Sequence, residues 1–345
     1  MRYRLLGCTG LYVSELSLGT MNYGGVGYFA NMGALGQVEV DEQLRLAVDR
    51  GVNLIDTADV YSYGESEKLV GQAIRNLGLA RDEMVIATKG FVRMGAGVNR
   101  LGLSRHHLFN AVDASLKRLQ LEYIDLYQVH GADPLTPIEE TLSALDDLVR
   151  AGKIRYTGLC NMPGWQIMKA NAISRANGWK RFISSQVYYS LAGRDAERDI
   201  MPVVEDQEMG MLVWSPLAGG LLSGKYQADA TQGRRAVANF PPVDPRRAEA
   251  CMRALQSVSK EIDANPAQVA LAWLLARRSV TSVIIGARTN QQLDNNLSAS
   301  RLALSQEQLT LLDESSALPV EYPGWMLAFS NQDRQTPPAN PLEST

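Results

Sequence analysis

Short apolar runs alternate with amphipathic segments along most of this chain. Eight of the runs are rich in β-branched and aliphatic residues and predict strands, whereas the segments between them repeat their apolar residues at helical spacing. The predicted strands cover residues 16–20, 52–56, 84–89, 124–130, 154–160, 182–188, 211–214 and 282–285. The predicted helices cover residues 41–50, 65–75, 104–118, 137–150, 163–177, 199–208, 246–276 and 289–297. Apolar strands separated by helices are typical of a parallel sheet that is buried on both faces.

Eight consecutive strand–helix units predict a closed (β/α)8 barrel, the α/β fold known as the TIM barrel, because right-handed crossovers place successive strands side by side. A doubly wound open sheet is the alternative architecture. One further helix is predicted over residues 305–317, where Ser305 and Gln308 have the spacing of a capping box. The chain contains no internal repeat or linker, so residues 1–345 are predicted to form a single domain with a mobile C-terminal tail.

Two long segments fit neither pattern: residues 22–38, which are rich in glycine, and residues 223–244. Long loops in compact domains commonly carry function. Both segments follow predicted strand ends, so we expect them to cover one face of the barrel, together with the C-terminal stretch that contains Trp325. The side chains of Tyr28, Phe29 and Trp325 then predict an apolar substrate pocket with room for a ring, and small sugars stay open as substrates.

Charge and composition narrow the classes of partner. The sequence has 34 Lys and Arg residues against 37 Asp and Glu residues, and its formal net charge of −3 gives no long-range attraction to phosphate backbones or anionic membranes. We therefore expect a small-molecule substrate, no nucleic acid and no membrane. The chain has no run of 18 apolar residues and no apolar signal segment near its start. Its oligomeric state is left open, a homo-oligomer included.

The cysteines and histidines predict neither disulfides nor a metal site. Cys8, Cys160 and Cys251 are sparse and show no C-x-x-C spacing, which suits a reducing compartment, and we expect the protein to be cytoplasmic. Of the three histidines, His106 and His107 are adjacent and lack the i, i+4 spacing of a metal-binding pair on a helix.

Titratable side chains end three successive predicted strands. Asp56 ends the second strand, Lys89 the third and His130 the fourth, and Tyr61 follows Asp56 by five positions. Taken singly, these residues have ordinary explanations as a helix cap, a surface lysine, a core histidine and a loop aromatic. Because the C-terminal ends of barrel strands converge on one mouth, we expect the four side chains to meet there.

The four side chains together suit general-acid catalysis. The phenol of Tyr61, with an ordinary pKa of about 10, donates a proton near neutrality only where a positive charge stabilises the phenolate. Lys89 supplies that charge, Asp56 is its counter-ion, and His130 orients a substrate oxygen. Such a site protonates a developing alkoxide. The accompanying hydride has to come from a cofactor, since no side chain supplies one.

Six segments carry a resemblance to a known family. They read GVNLIDTADVY at residues 51–61, ATK at 87–89, DLYQVH at 125–130, GKIRYTG at 152–158, QVYYS at 186–190 and WSPL at 214–217. In this order they resemble the aldo-keto reductase superfamily, and the resemblance extends from residue 3 to about residue 317. Within the superfamily, the chain is similar to a bacterial branch that resembles the potassium-channel beta-subunit-like reductases. The resemblance implies reversible, NADPH-dependent reduction of an aldehyde or ketone to an alcohol. It implies Asp56, Tyr61, Lys89 and His130 as a catalytic tetrad with Tyr61 as the acid.

The resemblance also implies an NADPH site that lies in extended form across the barrel mouth. The residues implied at the nicotinamide end, beneath the cofactor or against its carboxamide and ring, are Thr20, Met21, Asp56, Asn161, Gln186 and Trp214. The residues implied to line the pyrophosphate or to close over it are Ser215, Leu217, Gly219, Lys225 and Arg235. The residues implied to hold the adenosine end are Gly286, Arg288, Gln292, Asn295 and Asn296.

Arg288 is also notable for its position alone. It follows the eighth predicted strand and precedes a predicted helix start at Thr289, where a cation and exposed backbone amides suit a 2′-phosphate and favour NADPH over NADH. The chain departs from the family at two positions. Cys160 stands where many relatives have serine, so a hydroxyl contact to the carboxamide is lost or replaced by a weaker thiol contact. Gly286 stands where some branches have lysine, which leaves open whether the preference for NADPH over NADH is relaxed.

An alternative function of a different class is a cofactor-binding regulatory or redox-sensor subunit with slow turnover. It follows from the same resemblance, since channel-associated members of the family keep the fold and bind the cofactor. Multiple-turnover consumption of NADPH, as opposed to tight binding alone, distinguishes the two functions.

Overall fold

A computed structural model describes residues 1–224 and 239–331. Its strands are Tyr3–Leu5 (β1), Tyr12–Ser14 (β2), Leu16–Gly19 (β3), Leu54–Asp56 (β4), Val85–Gly90 (β5), Ile124–Val129 (β6), Ile154–Cys160 (β7), Ser184–Tyr188 (β8), Gly210–Trp214 (β9) and Val280–Ile285 (β10). Strands β3 to β10 are all parallel and form a closed barrel, which β10 completes by pairing with β3. The predicted TIM barrel is confirmed, and the open-sheet alternative is wrong.

Helices lie between and after the barrel strands. They are Gln37–Asp49 (α1), Glu65–Asn76 (α2), Arg105–Leu119 (α3), Ile138–Arg150 (α4), Gly164–Asn177 (α5), Ile200–Asp206 (α6), Pro245–Glu261 (α7), Pro266–Leu275 (α8), Asn290–Leu297 (α9), Gln306–Ser315 (α10) and Gly324–Ser330 (α11). The predicted capping box is confirmed at the start of α10, where the Ser305 Oγ accepts from the Gln308 amide at 3.3 Å and the Gln308 side chain accepts from Ser305 N at 2.9 Å.

The structure corrects the prediction of one helix over residues 246–276. That helix is interrupted between α7 and α8, where Asp263 has a left-handed φ of +51° and Asn265 caps the next helix. Pro266 is the first residue of α8, a position that needs no backbone N–H, whereas inside a continuous helix its ring would clash with the preceding turn. The pair Asn265–Pro266 is the helix-start signal that apolar periodicity alone missed.

The N-terminal hairpin of β1 and β2, which was not predicted, lies at the N-terminal ends of the barrel strands. The guanidinium of Arg4 donates to the carbonyl oxygens of Leu275 at 2.6 Å and Val280 at 2.5 Å, at the end of α8 and the start of β10. The fully buried Glu15 carboxylate accepts from Arg2 at 2.8 Å. Leu6 is buried with the inward-facing apolar residues of the strands. This end of the barrel is therefore filled by packed side chains, which leaves the opposite mouth for a site.

Of the two long loop segments, the first lies within the described residues. Residues 22–38 contain a 3-10 helix, Gly27–Asn31, and α1 begins at Gln37, four positions before its predicted start. Most of the predicted loop 223–244 and the predicted mobile tail lie outside the described residues. Helix α11, which was not predicted, follows α10.

No helix among the described residues is both long and apolar enough to cross a membrane. Within the same ranges, His, Cys, Asp and Glu side chains form no group of three or more that could hold a metal ion.

Candidate active site

Lys89 lies near the C-terminal end of β5, where it contacts both Asp56 and Tyr61. It lies on β5 beside β4, and its side chain is completely buried. Its Nζ is 2.6 Å from Asp56 Oδ2, donates to the Thr57 carbonyl at 2.8 Å and lies 3.4 Å from the Tyr61 hydroxyl. Burial lowers the pKa of Lys89, but the Asp56 carboxylate and the Tyr61 phenol outweigh it and hold the pKa above its usual value. The ammonium therefore stays charged with all three protons directed at partners.

Asp56 is held from the other side by two amides. Its Oδ1 accepts hydrogen bonds from Gln128 Nε2 at 3.1 Å and Gln186 Nε2 at 2.8 Å, while Oδ2 binds Lys89. The carboxylate is 2% exposed, so an unpaired charge there would be costly. Gln128 was not predicted. Its signal is a buried polar residue in an apolar strand, two positions before His130 and thus on the same side of β6.

Tyr61 reaches the buried ammonium because the chain makes an unusual turn after β4. Ser62 and Tyr63 both have left-handed backbones, with φ of +49° and +54°, and the turn ends at Gly64 with φ of +94°. The centroid of the phenol ring lies 5.0 Å from Lys89 Nζ. Burial raises the pKa of Tyr61 above its usual value and the Lys89 charge opposes this rise only in part. The hydroxyl therefore keeps its proton at neutral pH until a stronger base develops beside it.

His130 follows β6 directly and faces Tyr61. The two ring centroids are 6.0 Å apart, with the planes at 75°. Its Nδ1 is buried without a hydrogen-bond partner among the described residues. Burial and the Lys89 charge lower the pKa of His130 to about 3, so the ring is neutral. A neutral imidazole beside a phenol can hold a polar substrate oxygen without adding a charge.

A cleft of about 600 Å³ opens at this mouth. Every predicted cofactor residue that the structure describes lines it, namely Thr20, Met21, Asp56, Asn161, Gln186, Trp214, Ser215, Leu217, Gly219, Gly286, Arg288, Gln292, Asn295 and Asn296. Lys225 and Arg235, also predicted, lie outside the described residues. Lining residues that sequence reasoning missed include Asn22, Met32, Phe240 and Asn265. Closure of the barrel thus collects residues from both ends of the chain around one cavity.

The Tyr61 end of the cleft is flat and aromatic on one side. The indole of Trp214 stacks on Phe240, with centroids 5.7 Å apart and planes at 11°, and lies 5.2 Å from Tyr188. Trp214 Nε1 donates to Asn161 Oδ1 at 3.0 Å, and Asn161 Nδ2 donates to the His130 carbonyl at 3.4 Å. A flat apolar surface beside side-chain amides suits a ring that bears a carboxamide, such as nicotinamide.

The part of the cleft around Arg288 suits an anion. Thr289 caps α9, Arg288 N donates to Gln292 Oε1 at 3.1 Å, and the Arg288 guanidinium donates to the Asn31 carbonyl at 3.0 Å. A Cβ at Gly286 would lie 3.4 Å from the Gly19 carbonyl oxygen, so a side chain there would narrow the floor of the cleft. A cation at a helix start is a favourable setting for phosphate. The cleft as a whole therefore fits an extended dinucleotide.

None of the three predicted substrate residues lines the cleft. Phe29 is buried with its ring 5.8 Å from Tyr61, but it does not line the cleft. Tyr28 is exposed and packs its edge on Phe29 at 5.6 Å, because adjacent residues of the 3-10 turn point in different directions. Trp325 lies on the exposed helix α11, where its ring is 6.0 Å from Tyr322. Neither Tyr28 nor Trp325 lines the cleft.

Cys160 lies beneath the site. Its thiol is buried, is 3.9 Å from Gln128 Oε1 and does not line the cleft. Burial raises the pKa of this thiol above its usual value. The side chain therefore packs behind the amides that hold Asp56, as a neutral thiol.

Comparison with known proteins agrees with this geometry. The model of the aldo/keto reductase family matches residues 15–317. The chain is 35% identical to an uncharacterised oxidoreductase, YrpG, of Bacillus subtilis, over 91% of this chain and 95% of that protein. It is 34% identical to the versiconal hemiacetal acetate reductase of Aspergillus parasiticus, over 94% and 99%. It is 35% identical to a putative voltage-gated potassium channel subunit beta of Schizosaccharomyces pombe, over 90% and 92%. The chain belongs to the aldo/keto reductase family and is an oxidoreductase of that family.

Proposed function

We propose that the protein is an NADPH-dependent reductase that converts an aldehyde or ketone into an alcohol, reversibly, with Tyr61 as the proton donor. One observation carries the proposal. A buried lysine ammonium contacts the Asp56 carboxylate at 2.6 Å and the Tyr61 hydroxyl at 3.4 Å, and both of these partners line the cleft. Burial of the Lys89 ammonium costs free energy. Such a buried charge is expected where it stabilises an opposite charge that forms during a reaction, which here is the Tyr61 phenolate.

The residues then have distinct tasks. When bound, the nicotinamide cofactor supplies the hydride that no side chain can supply. Tyr61 gives its hydroxyl proton to the substrate oxygen as negative charge develops there, and Lys89 stabilises the phenolate that remains. Asp56 keeps Lys89 charged and in place. The neutral ring of His130 orients the carbonyl oxygen towards Tyr61.

The cofactor would be held along the cleft by side chains of this chain. Trp214 offers its indole and Asn161 and Gln186 offer their amides, while Arg288 offers a cation. The three cysteines are all unpaired thiols, which supports a reducing compartment such as the cytoplasm.

The direct test is multiple-turnover oxidation of NADPH by the purified protein with aldehydes, α-dicarbonyls, ring ketones and sugars. Turnover of at least one class, many times over the enzyme concentration, is the expected result. Tight binding of NADPH without turnover of any class would instead favour the regulatory or sensor function.

Replacement of Arg288 by glutamine is expected to raise the KM for NADPH by about 10- to 100-fold, the cost of losing a charge-assisted hydrogen bond to phosphate. The KM for NADH, which lacks the 2′-phosphate, is expected to change less than about twofold. Steady-state kinetics with both cofactors measure this. Arg278→Gln, at an exposed arginine that does not line the cleft, is the matched control. Equal losses for both cofactors would assign Arg288 to another role.

The pH profile of the reduction is expected to be flat between about pH 5 and 8. The pKa of His130 is lowered to about 3, and that of Tyr61 is raised above its usual value, so neither group titrates in this range. The rate falls only at higher pH, where Tyr61 loses its proton. Measurement of kcat/KM against pH checks this. A step near pH 6 to 7 that disappears in His130→Gln would show that the imidazole works in its charged form.

A further inference from the structure

A buried carboxyl group that the proposed reaction does not use lies next to the backbone of Lys89. Asp59 is 1% exposed, and neither of its carboxyl oxygens makes a hydrogen bond of ordinary geometry within the described residues. Its backbone N–H donates to the Lys89 carbonyl at 3.1 Å, just beyond the paired part of β4 and β5. A buried carboxyl without such bonds costs free energy, so an apolar residue would serve better here if packing were the only requirement.

The hydroxyl of Tyr127 is a second buried oxygen that lacks a partner at the same place. Tyr127 is on β6, beside β5, and is completely buried. A Cβ on Gly90, the residue after Lys89, would lie 2.1 Å from this hydroxyl and 3.5 Å from Asp59 Oδ2. Because Gly90 has no side chain, both oxygens can approach one point. A hydrogen bond between them, direct or through one water molecule, gives each a partner.

The charged groups around Asp59 leave no cation to pair with it. Glu67, on α2, is completely buried and accepts a hydrogen bond from Arg118 Nε, on α3, at 2.6 Å. The Lys89 ammonium is bound to Asp56. Ionisation of Asp59 would therefore add an unpaired negative charge to a buried layer that already holds the Glu67 carboxylate.

The protonation of Asp59 follows from this arrangement. Burial and the Glu67 charge raise the pKa of Asp59 well above its usual value. Arg118, the neighbouring Val60 N–H and Lys89 oppose this rise only in part. We therefore expect the group to keep its proton near neutral pH, as a carboxylic acid that can donate a hydrogen bond.

Asp59 lies in the middle of the segment that brings Tyr61 to Lys89. Two positions before Asp59, the Thr57 carbonyl accepts from Lys89 Nζ at 2.8 Å, and two positions after it, the Tyr61 hydroxyl lies 3.4 Å from the same nitrogen. The left-handed turn follows Tyr61 directly. Such backbone conformations persist only where the surrounding structure holds them. An anchored Asp59 side chain supplies such a hold.

We propose that Asp59 is a positioning residue for the reduction; this inference rests on the proposed function. Its protonated carboxyl, paired with the Tyr127 hydroxyl over Gly90, fixes residues 57–61 on β5 and so keeps the Tyr61 hydroxyl beside the Lys89 ammonium. Asp59 does not line the cleft, so it acts on the reaction through Tyr61 and not by contact with a ligand.

Two substitutions of Asp59 test the proposal. Asp59→Leu has the same branched shape without polar atoms, and it is expected to lower kcat by about 10- to 100-fold, the scale of a displaced catalytic group. The Kd for NADPH is expected to change less than about threefold, because only the transition state depends on the position of Tyr61. Asp59→Asn, which is uncharged and still donates and accepts, is expected to recover kcat to within about threefold of the wild type.

Steady-state kinetics and fluorescence titration with NADPH measure these values, and urea unfolding shows that each variant is folded. A loss of kcat in both variants would mean that the negative charge of Asp59 is needed. Unchanged kcat in both would mean that Asp59 positions nothing. Either result overturns the inference.

Tyr127→Phe tests the other member of the pair with the loss of a single oxygen atom, and it does not depend on the folding of Asp59→Leu. It is expected to lower kcat by about 3- to 10-fold. The double variant is expected to be no slower than Asp59→Leu alone, since the pair is already broken. Fully additive losses, or an unchanged kcat in Tyr127→Phe, would overturn the pairing and with it the inference.

A second readout does not depend on turnover. In protein containing tyrosine isotopically labelled at Cζ, the NMR resonance that is lost in Tyr61→Phe reports the surroundings of the Tyr61 hydroxyl. Without substrate, this resonance is expected to keep its wild-type position in Asp59→Asn and to move in Asp59→Leu. An unmoved resonance in folded Asp59→Leu would overturn the positioning and leave the reductase function standing. A resonance that moves as expected in a protein without turnover would overturn only the reductase function.

Asp146→Leu is the matched control. Asp146 is a buried carboxylate on α4 that pairs with Arg150 and does not line the cleft. Its replacement is expected to lower the urea midpoint while kcat and the Tyr61 resonance stay as in the wild type. A loss of kcat in this control equal to that in Asp59→Leu would assign both losses to stability and overturn the inference.

Discussion

Tyr61→Phe is expected to lower kcat for carbonyl reduction by about 10³-fold or more, while the Kd for NADPH changes less than about threefold. The substitution removes one oxygen atom, the proposed proton donor, and general-acid catalysis contributes about 10²- to 10⁴-fold. The ring and its packing on Phe29 are kept. Steady-state kinetics, together with NADPH binding measured by fluorescence titration, check both halves of the prediction.

Tyr63→Phe is the matched control for this experiment. Tyr63 lies in the same turn, but its side chain is 52% exposed and does not line the cleft. Near wild-type kcat is expected for this variant. A Tyr61→Phe protein that turns over as fast as Tyr63→Phe would mean that the proton comes from another group.

Lys89→Met is expected to abolish measurable turnover and to lower the free energy of unfolding by about 3–5 kcal/mol, because it leaves the buried Asp56 carboxylate without its cation. The two amides on Asp56 Oδ1 remain, but they do not neutralise its charge. Urea unfolding and steady-state kinetics measure the two effects. Lys153→Met, which breaks a half-exposed pair with Asp113, is expected to cost less than about 1 kcal/mol.

A double variant separates stability from catalysis at this pair. Asp56→Asn combined with Lys89→Met leaves no unpaired buried charge, so most of the lost unfolding free energy is expected to return. Activity is expected to stay absent, since no cation is left to stabilise the phenolate. Recovery of activity in the double variant would remove Lys89 from the mechanism. Stability that stays as low as in the single variant would mean that packing, and not charge, dominates at this site.

The loop over residues 22–38 shows the limit of what a local sequence pattern predicts. The aromatic composition of residues 22–38 indicated an apolar site, and Phe29 does pack on Tyr61. The sequence did not indicate that Tyr28 would face solvent while Met32 lines the cleft. That choice depends on the positive φ values of the glycines around them and on the contact of Asn22 with Ala287, 265 positions away.

The sequence by itself determined the order of strands and helices, and it placed Asp56, Lys89 and His130 at strand ends. Both signals are local, because apolar periodicity and capping depend on neighbours within a few residues. Only the tertiary structure decided that Gln128 and Gln186 hold Asp56. Closure of β10 on β3 brings residues from opposite ends of the chain to one cleft. Which side chains touch across that closure depends on strand register and loop geometry, and no local pattern encodes either.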